Sequence, residues 1–213
     1  MNIAHFIDHT MLKADAPDSL VRQYCEEAIK EGFASVCVNS SYVPMVADLL
    51  RGSGIACCSV VGFPLGAMST AAKAFEAHQA VQDGADEIDM VINISAIKSG
   101  RWDLVEEDIR AVTAAAAPAP VKVILETCLL TDEEKRKACS SAESGGAAFV
   151  KTSTGLSTGG ATVEDVRLMK EAVGDRLKIK ASGGIRTKAF AVELLEAGAD
   201  RIGAGNGMLL LKD

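Results

Sequence analysis

Aromatic side chains are scarce in this chain: one Trp, two Tyr and six Phe among 213 residues, or 4%. A core must therefore be built from Val, Ile, Leu and Ala, which favours buried parallel strands over an aromatic-rich sandwich. A basic surplus is also absent. Lys and Arg number 22 against 29 Asp and Glu, a net charge of −7 with a pI near 5.1. Phosphate backbones need a basic face, so nucleic acid is excluded as the main partner, although a local anion site is not. No run approaches the roughly 20 apolar residues of a membrane span. The opening residues, MNIAHFIDHT, have neither the basic start nor the apolar stretch of a signal peptide. A cytoplasmic protein without a membrane partner is expected. The cysteines at 25, 37, 57, 58, 128 and 139 include no CxxC, and His5, His9 and His78 have no metal-pair spacing. Reduced, buried thiols and no metal site follow.

What is present is a repeat. Short apolar runs recur at 5–10, 35–39, 57–63, 87–93, 121–127, 148–154, 177–182 and 201–205. Between them lie Ala- and Glu-rich stretches with apolar residues at three- and four-residue steps, which read as helices. Several open on Thr, Ser or Asp and close on Gly. A glycine-led junction before a strand occurs at 84–86, 145–147 and 198–200. Eight β/α units in this length predict one α/β domain over 1–213, a (β/α)8 TIM barrel. A doubly wound open sheet is the alternative, but no GxGxxG turn follows the first strand. The segment 114–120, AAAAPAP, reads as a helix end rather than a linker. Barrels often pair, and the loop holding Tyr42, Val43 and Pro44 is the expected contact of a homodimer.

The chemistry collects at the expected C-terminal ends of the strands. Lys151 sits in AFVKTSTG and Lys180 in LKIKASGG, each inside an apolar run with hydroxyls and glycine following. An unpaired buried ammonium is costly, so a lysine in such a place is neutral for part of its working life and nucleophilic toward carbonyl carbon. A neighbouring cation, Lys180, favours the free amine at Lys151. Alternation puts Glu87, Asp89 and Val91 on one face, which places an acid, Asp89, inside the barrel to stabilise an iminium and move protons. Lys178 shares a face with Lys180, but Lys180 lies nearer the strand's end. Cys37, Asp8, Thr10, Glu126 and Thr127 lie at other strand ends, and His9 reads as a hydrogen-bonding rim residue. Glycine turns after the last three strands hold Thr154 and Gly155, then Ser182, Gly183 and Gly184, then Gly203, Gly205 and Asn206. Free backbone N–H groups in such turns make an anion site, with Arg186 as a further contact.

Taken in order, IDHTMLK, SVCVNSSYV, VVGFPLGAMST, ADEIDMVIN, KVILET, FVKTSTG, IKASGGIRT and ADRIGAGNG resemble the deoxyribose-phosphate aldolases over nearly the whole chain. The resemblance implies a metal-free, cofactor-free class I aldolase. It implies reversible cleavage of 2-deoxy-D-ribose 5-phosphate to acetaldehyde and D-glyceraldehyde 3-phosphate. It implies that Lys151 forms the Schiff base, Lys180 assists proton transfer, Asp89 joins the relay, Cys37 lies near the substrate and the glycine turns hold phosphate. Two departures stand out. The last turn, Gly203-Ala204-Gly205-Asn206, lacks the serines common in that family, and a hydrogen bond to a charged group is worth roughly 1.5–3 kcal/mol. The final LLLKD carries no tyrosine of the kind that reaches the site in some members, so proton transfer is expected to lean on water and the Asp89–Lys180 pair. A lyase for another aldehyde pair and a non-catalytic sugar-phosphate-binding barrel are the alternatives.

Overall fold

The structure, a computed structural model, describes residues 2–212; Met1 and Asp213, the ends of the expected domain, lie outside the described residues. Strands and helices alternate: β1 (Ile7–Met11), α1 (Asp18–Glu31), β2 (Ser35–Val38), α2 (Val43–Leu50), β3 (Ala56–Val61), α3 (Thr70–Gln82), β4 (Glu87–Val91), α4 (Ile94–Lys98), α5 (Trp102–Ala116), β5 (Val121–Ile124), α6 (Asp132–Ser144), β6 (Phe149–Lys151), α7 (Val163–Val173), β7 (Lys178–Ser182), α8 (Lys188–Glu196) and β8 (Arg201–Ala204). All strand pairs are parallel. They run in chain order, and β8 pairs with β1, so the sheet closes as the expected (β/α)8 barrel.

The helices form where the pattern lets one face be buried. In α1, Val21, Tyr24, Cys25 and Ala28 are buried at helical spacing, and Gly32 ends the helix in the left-handed conformation at φ 70°. Thr131 and Glu134 form a reciprocal capping box that starts α6. The repeated junctions have two roles. Gly84 and Gly198 turn the chain at φ 106° and 116°, and the acids that follow cap the neighbouring strands. Asp86 accepts from the Cys57 amide, and Asp200 from the Ile179 amide, each at 2.8 Å.

Two helices escape a reading of the sequence. α4 is five residues long, too short to show a period. α2 starts at Val43 with a proline in its first turn and buries Val43, Val46 and Leu50. The segment 42–44, expected as a loop, thus opens a helix, and Pro44 stays exposed. Val43 faces the core with no exposed surface, and the Tyr42 hydroxyl donates to the Ala16 carbonyl at 2.5 Å. His9 is corrected too. It is no rim residue but points outward from β1 into the layer under α1, stacked on Tyr24 and bonded to Glu27 at 2.8 Å.

The α3–α5 contact holds a fully buried ion pair. Lys73 Nζ donates to Asp108 at 2.6 Å and to the Val91 carbonyl at 2.9 Å. Removing one member of such a pair strands a buried charge, whereas an apolar replacement of both does not. Asp108→Ala should therefore lower unfolding free energy by about 3–5 kcal/mol in urea titrations, and Lys73→Met with Asp108→Leu should recover most of it. Equal losses in the single and double variants would contradict this.

Candidate active site

The barrel interior is charged where its strands cross mid-height. Alternation along β4, β5 and β7 turns Asp89, Lys122 and Lys180 inward, and none of the three has exposed surface. Register sets their partners: Asp89 lies beside Lys122, and Lys151 beside Lys180. Asp89 Oδ1 accepts from Lys122 at 2.8 Å; its Oδ2 accepts from both Lys151 and Lys180 at 2.7 Å. Lys180 also meets Asp8 at 2.5 Å, and Lys122 meets Glu87 at 2.6 Å. Arg201 joins those two acids, donating to Asp8 at 2.8 Å and to both Glu87 oxygens at 2.8 and 2.9 Å. The chain of contacts Asp89–Lys180–Asp8–Arg201–Glu87–Lys122 returns to Asp89. It is a closed ring of alternating charge, balanced in itself. Lys151 is a seventh group, held among the described residues by Asp89 alone.

The ring settles its own ionisation. Burial alone would raise the Asp89 carboxyl, but Lys122, Lys151 and Lys180 outweigh it and hold it well below the ordinary carboxylate range. Burial likewise opposes ionisation of Asp8, which Lys180, Lys122 and Arg201 hold low. Burial would lower the ammoniums, yet Asp8 and Asp89 keep Lys180 high, and Asp89 chiefly keeps Lys122 high. The Cys37 thiol is lowered by its hydrogen bond with Cys58, against burial. Cys37 Sγ, Cys58 Sγ and an Asp89 oxygen lie within 4.8 Å of one another, a spacing open to a metal. Three ammonium groups around Asp89 oppose a cation there.

Above this layer a cavity of about 420 Å³ opens at the C-terminal ends of the strands. Lys151 forms part of its wall, as do Thr10, Thr154, Gly155, Ser182, Gly183, Gly184, Arg186, Gly203, Gly205 and Asn206. Asp89, Lys180, Cys37 and Asp8 are not in the wall. They are buried below it, so Asp8 and Cys37, expected at the substrate, instead belong to the layer that holds the lysines. Two wall hydroxyls already have partners. Thr154 donates to Glu126 at 2.5 Å, and Ser182 to the Ser153 carbonyl at 2.6 Å. These bonds fix the loops after β6 and β7. Gly203 also leaves room for its neighbours, since a β-carbon there would come within 2.8 Å of Ser182 Cβ and 3.1 Å of Lys180 Cε. The β8 loop is pinned from behind, where the Tyr24 hydroxyl donates to the Gly205 carbonyl at 2.5 Å and Gly207 N–H to His9 Nδ1 at 3.1 Å. Lys178 lies exposed at the strand's start, its ammonium 5.7 Å from the Phe149 ring centre. Sequence reasoning passes over Lys122 and Arg201. Their inward alternation with Asp89 and Glu87 is the signal that could have found them.

Residues 3–213 match the family described as DeoC/LacD family aldolase. A deoxyribose-phosphate aldolase of Finegoldia magna is 57% identical over 212 residues, covering 100% of both chains. One from Clostridium tetani is 54% identical, covering 100% of this chain and 99% of its own. Among solved structures, a deoxyribose phosphate aldolase from Aeropyrum pernix, described as tetrameric, superposes with a TM-score of 0.92. It is 34% identical, covering 98% of this chain and 89% of that one.

The ring makes a stability prediction with a pH sign. Because Asp89 is held below its ordinary value of 3.8, its ionised form adds stability above that value and loses it as pH falls further. Asp89→Asn should cost about 3–5 kcal/mol at pH 7. The gap to the parent protein should narrow as urea unfolding is repeated below about pH 3.8. A gap independent of pH would show that the ammoniums do not depend on this carboxylate.

Proposed function

This chain belongs to the DeoC/LacD family of aldolases, and we propose that it is a deoxyribose-phosphate aldolase acting through a Schiff base at Lys151, with the barrel as a single catalytic domain. One observation carries the mechanism: of the three lysines bonded to Asp89, Lys151 alone reaches the cavity. Its charge is also the one the ring does not need. With Lys151 neutral, three cations face three carboxylates, and no buried charge is left over.

The free amine attacks the C1 aldehyde of open-chain 2-deoxy-D-ribose 5-phosphate. The carbinolamine gives up its hydroxyl as water and leaves an iminium. The C3 hydroxyl then loses its proton to a base, the C2–C3 bond breaks, and its electron pair neutralises the iminium to an enamine. D-Glyceraldehyde 3-phosphate departs. Protonation at C2 and hydrolysis release acetaldehyde and restore the amine. Asp89 holds the nitrogen and stabilises the iminium at its side. Lys180, its ammonium held high by Asp8 and Asp89, is a weak acid. It shares Asp89 Oδ2 with Lys151, each at 2.7 Å, which sets it beside the nitrogen whose protons move and lets it assist that transfer through the carboxylate. Among the described residues the wall contains no carboxylate, although Asp and Glu outnumber Lys and Arg in the chain. The turns at Gly155 and at Gly183–Gly184, with Arg186 just before α8, suit a phosphate dianion.

Borohydride reduction in the presence of acetaldehyde should add an ethyl group to the peptide containing Lys151, read by peptide mass analysis. Label on another lysine would contradict the assignment. No label at all would revive a sugar-phosphate-binding barrel without catalysis. Lys180→Leu should lower kcat by about a hundredfold or more, with urea unfolding run alongside to separate lost folding from lost chemistry. Near-normal turnover would remove its role.

A further inference from the structure

The cavity wall contains a third cation, the last residue of the IDHTMLK segment, to which the sequence reading assigns no role. Lys13 follows β1 and lines the same cavity as Lys151 and Arg186. Among the described residues neither Lys13 nor Arg186 has a carboxylate within ion-pair distance, although most lysines and arginines of this acidic chain do have one. Both side chains are exposed. Their loops follow β1 and β7, the two strands that flank β8 in the barrel. Lys13 and Arg186 thus stand on either side of the β8 loop, which brings Gly205 and Asn206 to the wall without a hydroxyl side chain.

We propose that Lys13 is a binding residue for the phosphate end of the substrate, closing a cationic pair with Arg186 across the β8 loop. The pair supplies by charge what that loop does not supply by hydroxyl donors. The backbone of Lys13 is placed for this. Its carbonyl accepts from the Ala16 amide at 3.4 Å, and the Ala16 carbonyl is held in turn by the Tyr42 hydroxyl at 2.5 Å. The ammonium has no competing anion to leave when a dianion arrives, so its attraction is not offset by a broken ion pair. Because the side chain is exposed, its contribution is moderate and falls with salt. The proposal rests on the aldolase reading above and adds to it the cation that selects a phosphorylated sugar.

The test is kinetic. The Lys13→Met variant keeps the stem and removes the charge. With it, kcat/KM for 2-deoxyribose 5-phosphate relative to unphosphorylated 2-deoxyribose should fall about five- to tenfold. The loss should lie in KM for the phosphorylated sugar, and the rise of that KM with ionic strength should become shallower. Lys13→Arg should restore most of the ratio. Arg186→Met should lower it too, and the double variant should lose less than the product of the two, because both cations bind one phosphate. An unchanged ratio in Lys13→Met, or an equal loss on both sugars, overturns the role of Lys13. Borohydride trapping of acetaldehyde by the same variant shows separately whether the amine at Lys151 is intact. A parent enzyme that traps acetaldehyde but does not distinguish the two sugars overturns the phosphate reading and this proposal with it.

Discussion

One carboxylate, Asp89, accepts from three lysines in the middle of a closed barrel, and the rest of the interior is arranged to make that tolerable. A lone buried charge costs several kcal/mol even after relaxation. Here the cost is met by closure: each group in the Asp89, Lys180, Asp8, Arg201, Glu87, Lys122 ring touches two of opposite sign. A balanced ring has no reason to exchange protons. Lys151 stands outside that closed circuit and touches it through Asp89. The six groups hold one another in place, and the proposed chemistry falls to the seventh, which alone of the three lysines on Asp89 lines the cavity.

The fold is what makes the ring possible. Parallel strands with period-two alternation send side chains from β1, β4, β5, β7 and β8 into one layer, and closure between β8 and β1 joins the two ends of the chain there. The contact of Arg201 with Asp8 spans 193 positions in sequence. An open sheet would leave both unpaired. The layer above is built differently. The loop after β6 lies so close to the loop after β7 that a β-carbon at Gly160 would come within 2.3 Å of the Gly183 carbonyl oxygen. Glycine there lets two loops share one small cavity.

The local features of the site are legible in the chain itself. Lys151, Lys180 and Asp89 each sit in an apolar run, and strand periodicity turns them to a common face. Lys122 carries the same local signature, in VKVILE, but it lies at the start of its strand, where a rim charge is the ordinary expectation. Its role depends on register with Asp89, which no single segment encodes. Asp8 is expected near the end of its strand, and Cys37 near the substrate by resemblance. In the structure β1 runs on to Met11, so Asp8 lies near its start, and both side chains are buried below the cavity. Val43 reads as loop because a proline follows it, whereas proline in a first helical turn is favourable. Lys13 closes the IDHTMLK segment without any chemical signature of its own and becomes visible only when the loops are brought around one mouth.

In the proposed reaction Lys151 reacts while its neighbours hold still. A crystal structure of the enzyme reduced with borohydride in acetaldehyde tests this most directly. It should show an ethyl group on Lys151 Nζ in the cavity, with that nitrogen still in reach of Asp89 and the ring of six charged groups unbroken. An ethyl group on Lys180 or Lys122, or a Lys151 swung away from Asp89 with the ring opened, would contradict it.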